Sequence, residues 1–117
     1  MAKYLILIYG DERQWAAMST QERQRLDAAH RAFSEAAGGK LLGGHELQPA
    51  PAATTLRTDS AGRLSITDGP FLETKEAVGG YYLVEAADLD EVTKLAAGLY
   101  EVSAGHSGVE IRPIVEH

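Results

Sequence analysis

The chain has 117 residues, 44% of them apolar and 24% charged, with a formal net charge of -6 and no cysteine. That length holds one domain, residues 1–117, of ordinary globular composition. An acidic balance disfavours a phosphate backbone as partner, and the missing thiols exclude disulfides, thiolate metal sites and a cysteine nucleophile.

The chain opens on MAKYLILIYGDER, whose Tyr4–Tyr9 run is β-branched and aromatic and is closed by Gly10, so it predicts a strand. It is too short to cross a membrane and lacks a small-residue cleavage site. A cytoplasmic protein without a membrane partner is expected. After the loop GDERQWAAM, Ser19 and Glu22 have the spacing of a capping box, with Ser19 accepting from the Glu22 N–H and Glu22 reaching back. The helix that follows sets Leu26, Ala29, Phe33 and Ala36/Ala37 on one apolar stripe and ends at Gly38-Gly39. Arg23, Arg25 and Arg31 alternate with Glu22, Asp27 and Glu35, which makes a solvated helix face and not a nucleic-acid patch.

KLLGGHEL, residues 40–47, predicts a second strand with a glycine pair at its centre. Two short strands follow, around Thr54–Thr58 and Arg63–Thr67, joined by an Asp-Ser-Ala-Gly turn. GYYLVEA, residues 80–86, is the next strand, with Gly79-Gly80 marking a bulge or a close backbone approach. Because that pair precedes a strand and not a helix, it is no phosphate cradle, and no cofactor is expected. Asp88 and Glu91 form a second capping signature before a helix striped by Leu89, Val92, Leu95 and Leu99. VEIRPIV, residues 109–115, is the last strand, and Pro113 assigns it to a sheet edge.

The order βαβ, hairpin, βαβ predicts an α+β, ferredoxin-like (split βαβ) protomer with an inserted β-hairpin. Strand one is apolar on both faces, with Tyr4, Ile6 and Ile8 on one and Leu5, Leu7 and Tyr9 on the other. Two helices cover only one face. The economical cover for the other is a second copy, giving a homodimeric α/β barrel, and the alternative is the hairpin folding over it.

TDGPFLETKEAVGGYYLVEAADLDEV, together with KYLILIYGDE, GGHELQP and VEIRPI, closely resembles the DGPF-type branch of the YCII-related domain family along essentially the whole chain. The resemblance implies the dimeric α/β barrel already expected from the pattern. It also implies an active-site pair of a helix-borne histidine and the acidic residue of the turn, here His30 and Asp68, and chemistry of the lyase or dehalogenase type, since one member of the family is a dehydrochlorinase of chlorinated hydroquinones. Some members of the branch accompany or are fused to extracytoplasmic-function sigma factors.

Each candidate residue has a structural reading beside its functional one. Asp68 caps a turn by accepting N–H bonds from Phe71 or Leu72, or acts as general base or as orienter of His30. His30 borders the helix stripe, as a packed residue or as the proton-transfer partner. Tyr9, Trp15, His45, Phe71, Lys75 and Tyr81 are candidates to line a substrate cleft. Core packing accounts equally for the aromatics, and a solvated charged run accounts for Lys75. No histidine pair has a chelating spacing, so no metal is expected. Two functions follow: a small-molecule enzyme using Asp68 and His30 for acid/base chemistry in a barrel cleft, or a non-catalytic dimeric sensor or interaction module acting with a sigma factor.

Overall fold

The computed structural model describes residues Met1–His117. Six strands and four α-helices follow in the order β1 (Ala2–Asp11), α1 (Glu12–Ala16), α2 (Thr20–Ala37), β2 (Leu41–Glu46), β3 (Thr54–Thr58), β4 (Leu64–Asp68), β5 (Glu76–Ala86), α3 (Leu89–Ala96), α4 (Tyr100–Ser103) and β6 (Ser107–Pro113). Four strands form an antiparallel sheet in the order β2-β5-β1-β6, while β3 and β4 pair only with each other. This is the expected split βαβ arrangement: β1 and β5 are central, and Pro113 ends the β6 edge strand opposite Tyr4.

Alternation along the strands sorts the core. Tyr4 and Ile6 of β1 and Val84 and Ala86 of β5 face the helices, where they meet Phe33 of α2, Val92 and Ala96 of α3, and Leu99. Ile6, Val84, Val92 and Leu99 are fully buried, each contributing about 1.5–3 kcal/mol of apolar burial. On the opposite face Leu5, Leu7, Tyr9 and Leu83 stay half-exposed. The hairpin does not fold over them. It packs against little else in the chain and leaves Leu56, Leu64 and Ile66 exposed. The protomer is accordingly thin, 50 × 42 × 19 Å, the thickness of one sheet with one helix layer.

Local signals account for most element boundaries. Ser19 Oγ accepts from the Glu22 N–H at 3.0 Å and Asp88 Oδ1 from the Glu91 N–H at 2.9 Å. The first capping box is only half formed, because Glu22 turns away from its own helix end toward Tyr100 and His106. Asp59 holds the hairpin turn by accepting from Ala61 and Arg63 N–H, with Gly62 at φ 80°. Three features depart from the sequence reading. The loop after β1 contains α1, capped by Asp11. The segment after α3 folds into α4. β5 begins at Glu76 and so takes in the end of the charged run.

Glu91 accepts from Lys40 Nζ at 2.7 Å and from the Ala87 N–H at 2.9 Å, and these bonds, the lysine's foremost, hold its carboxyl below the usual value of 4.5. A depressed folded-state value makes this contribution full above about pH 4.5 and removes it as the pH falls through the folded value. Lys40→Met is therefore expected to lower the melting temperature at neutral pH and to lower it by less at about pH 3, because the contribution of the bond shrinks as the pH falls below the ordinary carboxylate value. Thermal melts of the two proteins at both pH values check this.

Candidate active site

The sheet surface under the first half of α2 is built from glycine. Gly10 of β1, Gly44 of β2 and Gly79-Gly80 of β5 leave no side chains to fill the space that Phe33 and Ala37 fill farther along. The register between β1 and β5 slips at this point, with Ile8 opposite Gly80 and Tyr9 opposite Val78, so Gly79 is the extra residue of a β-bulge. Trp15 of α1 lies on that bulge. A Cβ at Gly79 would meet its ring at 2.5 Å and one at Gly10 at 2.3 Å. Its Nε1–H donates to Ser107 Oγ at 2.9 Å, and Arg23 Nη2 donates to its carbonyl at 2.7 Å. Across the opening, the Ala50 N–H donates to Glu12 Oε2 at 2.8 Å, tying the chain after β2 to α1. A cleft of about 600 Å³ remains between these walls, with His30, Tyr82 and Glu101 among its lining residues.

Those three side chains form one hydrogen-bonded line. His30 Nε2 lies 2.8 and 3.0 Å from the two carboxylate oxygens of Glu101, and His30 Nδ1 lies 2.6 Å from the Tyr82 hydroxyl. A carboxylate only accepts, so Nε2 carries a proton. In the neutral imidazole Nδ1 then accepts from the Tyr82 O–H, and in the imidazolium it donates to Tyr82. Glu101 is buried, with its side chain 6% exposed against 20% for His30. Tyr82 is held by Phe33, at a ring-centroid distance of 4.6 Å, and by Gly44, whose missing Cβ would meet the ring at 2.6 Å. Burial, and then the Glu101 charge, push the Tyr82 phenol above the usual tyrosine value. Tyr82 therefore stays protonated at neutral pH and is suited to handing a proton on.

The structure gathers His30, Trp15, His45 and Tyr81 from the expected set around this cleft. His45 and Tyr81 face each other across β2 and β5 with ring centroids 6.0 Å apart. The expected pairing of Asp68 with His30 is not formed in the protomer, because both imidazole nitrogens are occupied by Tyr82 and Glu101. Asp68 ends β4, exposed, and makes no bond to Phe71 or Leu72. The turn is held instead by Gly69, at φ 108°, whose N–H donates to the Ala53 carbonyl and whose carbonyl accepts from Thr55 Oγ1. Tyr9 lies on the outer face of β1, and Lys75 is exposed before β5. Phe71 is exposed under the Arg57 guanidinium, 4.7 Å from its ring centroid. None of these four lines the cleft.

Two members of the line escaped sequence reasoning. Tyr82 was legible from parity, since it shares the face of Val84 and Ala86, and Tyr81 does not. Glu101 had no local signal: its partner is 71 residues away, and charged residues are rarely buried.

The sequence profile of the YCII-related domain matches residues 2–117. An uncharacterized protein of Rhizobium meliloti (strain 1021) is 41% identical over 115 residues, covering 95% of this chain and 90% of the relative. Among solved structures, the 5-chloro-2-hydroxyhydroquinone dehydrochlorinase of Burkholderia phenoliruptrix AC1100, in complex with 2,5-dihydroxybenzoquinone, aligns at TM-score 0.49 and 20% identity, covering 98% of this chain and 94% of that one.

The bulge makes a sharp prediction. Gly79→Ala is expected to force Trp15 off its seat, destabilising the fold by about 1–3 kcal/mol and shifting the fluorescence of this sole tryptophan. Gly43→Ala, with nothing within 4 Å of the added carbon, is expected to leave both unchanged. Denaturant melts followed by tryptophan emission compare the two.

Proposed function

The chain belongs to the YCII-related domain family, and we propose that it is a small-molecule enzyme of that family's DGPF-type branch, performing acid/base chemistry through Tyr82, His30 and Glu101. The observation that carries this reading is the unbroken line from a cleft-lining phenol through an imidazole to a buried carboxylate. With His30 neutral, Tyr82 takes a proton from the substrate at its oxygen while passing its own to Nδ1. The resulting imidazolium is held by Glu101. The reverse step returns the proton: Nδ1–H reprotonates Tyr82 as Tyr82 donates into the cleft. Bond formation and bond breaking balance at each oxygen and nitrogen, and no further reactant is needed.

The walls narrow the substrate class. Trp15 and Tyr82 offer aromatic surface, while Glu12, Asp27, Glu46 and Glu101 stand against the single guanidinium of Arg23. A compact neutral or cationic aromatic compound suits that balance, and a phosphate or carboxylate does not. The sequence assigned the carboxylate role to Asp68; this reading gives it to Glu101.

Solvent deuterium exchange into a panel of enolisable and dihydroxyaromatic compounds, followed by NMR, tests the chemistry without a known product. The wild-type protein is expected to accelerate exchange of at least one compound. Tyr82→Phe and His30→Gln are each expected to slow it by about 10²-fold or more, and Asp68→Asn to leave it unchanged. No exchange with any compound, or full exchange by Tyr82→Phe, rejects the reading.

The same proposal includes a homodimer closed sheet to sheet. Its support is the half-exposed outer row of Leu5, Leu7 and Leu83, which neither helix nor hairpin covers. Light scattering at micromolar concentration is expected to give twice the 12.6 kDa chain mass, and Leu7→Lys to give the monomer. A wild-type monomer rejects it.

A further inference from the structure

Glu101 sits on α4, a single helical turn of four residues that has too few internal bonds to hold a side chain in place by itself. A second bond beside it supplies the constraint. Tyr100, its neighbour in sequence, donates its phenolic O–H to Glu22 Oε2 of α2. The turn is thus fastened to α2 at two points in opposite senses: α4 supplies the carboxylate to His30, and α2 supplies the carboxylate to Tyr100.

Glu22 also reaches a second partner. His106 Nε2 lies 3.3 Å from the same Glu22 oxygen, and His106 Nδ1 lies 2.7 Å from Ser107 Oγ, which accepts from the Trp15 indole. One carboxylate therefore connects the turn bearing Glu101 with the residue that walls the cleft. Serine, histidine and glutamate stand here in the order of a nucleophilic triad, but none of Ser107, His106 and Glu22 lines the cleft. The network therefore ties elements together instead of attacking a substrate. Its bonds are felt in the ionisation of both ends: the Tyr100 hydrogen bond, followed by that of His106, holds the Glu22 carboxyl below its usual range, and Glu22 raises the Tyr100 phenol.

We propose that Glu22 and Tyr100 are positioning residues, a clasp that sets the reach of Glu101 to His30 and so keeps the proton relay assembled. This rests on the relay reading above, but it is a separate claim about what holds the relay together. A clasp that serves the relay differs from a bond that merely adds stability, because opening it must loosen the His30–Glu101 bond specifically.

The test is the exchange of the His30 Nε2–H with solvent, measured by NMR on the ¹⁵N-labelled full chain. In the wild type this proton is expected to be protected by Glu101. Tyr100→Phe, which keeps the ring and removes only the hydroxyl, is expected to speed its exchange about tenfold, on the scale of losing one charge-assisted hydrogen bond. Glu22→Ala is expected to do the same by a different route. Glu22→Gln, which still offers an oxygen to the phenol, is expected to remain within about threefold of the wild type. Lys40→Met, which breaks the distant bond to Glu91, is expected to leave the exchange unchanged. Wild-type exchange rates in both Tyr100→Phe and Glu22→Ala overturn the clasp and leave the relay standing, as does an equal acceleration by Lys40→Met. An unprotected Nε2–H in the wild type removes the relay itself, and the clasp with it.

Discussion

A carboxylate that has lost nearly all its water stays ionised only beside a cation or a strong donor. Glu101 is in that position, 5% exposed at the inner end of a one-turn helix, and its donor is His30. Much of the site follows from that single requirement. The imidazole must present Nε2–H to Glu101, which fixes its tautomer. The other nitrogen is left to meet the Tyr82 hydroxyl, and the charge behind the imidazole helps keep that phenol protonated. Breaking such a pair from one side strands the other partner, at a cost of about 3–5 kcal/mol. The residues that form the hydrogen-bonded line in the cleft are therefore also residues that the fold cannot give up one at a time.

Why the cleft lies where it does is a matter of missing side chains. Along α2 only Phe33 and Ala37 are buried, both in its second half, where Val84 and Ala86 rise to meet them. Under the first half the sheet offers Gly44 and Gly80, and the helix offers Leu26 and His30. The layers cannot close over glycine, so the space remains, and Trp15 fills only its far end. The bulge at Gly79 serves the same geometry, since a β-carbon there would collide with the indole. Glycine at these positions is thus used for what it lacks, and backbone freedom is not the reason.

The architecture was legible because it depends on patterns a few residues long. Alternation in Tyr4–Tyr9, the caps at Ser19 and Asp88, the turn at Asp59 and the edge position of Pro113 are local signals, and the sheet order follows from them. The site was legible only in part. His30, Trp15, His45 and Tyr81 stood out by residue type, and all line the cleft. Asp68 stood out through its turn and family resemblance, yet the hairpin carries it away from His30, while Glu101 supplies the carboxylate from a segment with no helical stripe to announce it. Long-range polar pairing leaves no periodic trace, so a buried glutamate in GLYEVSAG reads as an ordinary loop residue.

The two faces of the sheet meet different fates. The inner face solves its burial problem within the chain, and in doing so forms both the core and the cleft. The outer row of β1 and β5 finds no partner in the protomer, because the hairpin that might have covered it projects away and leaves apolar side chains of its own in water. A thickness of 19 Å leaves no room for a third layer from the same chain. Closure by a second copy would bury the outer face without disturbing the inner one. It would also stiffen β5, the strand that carries Tyr82 and the Gly79 bulge. The interface and the proposed acid/base site would then share one strand, and a defect in pairing would be felt at the phenol through the backbone that holds it.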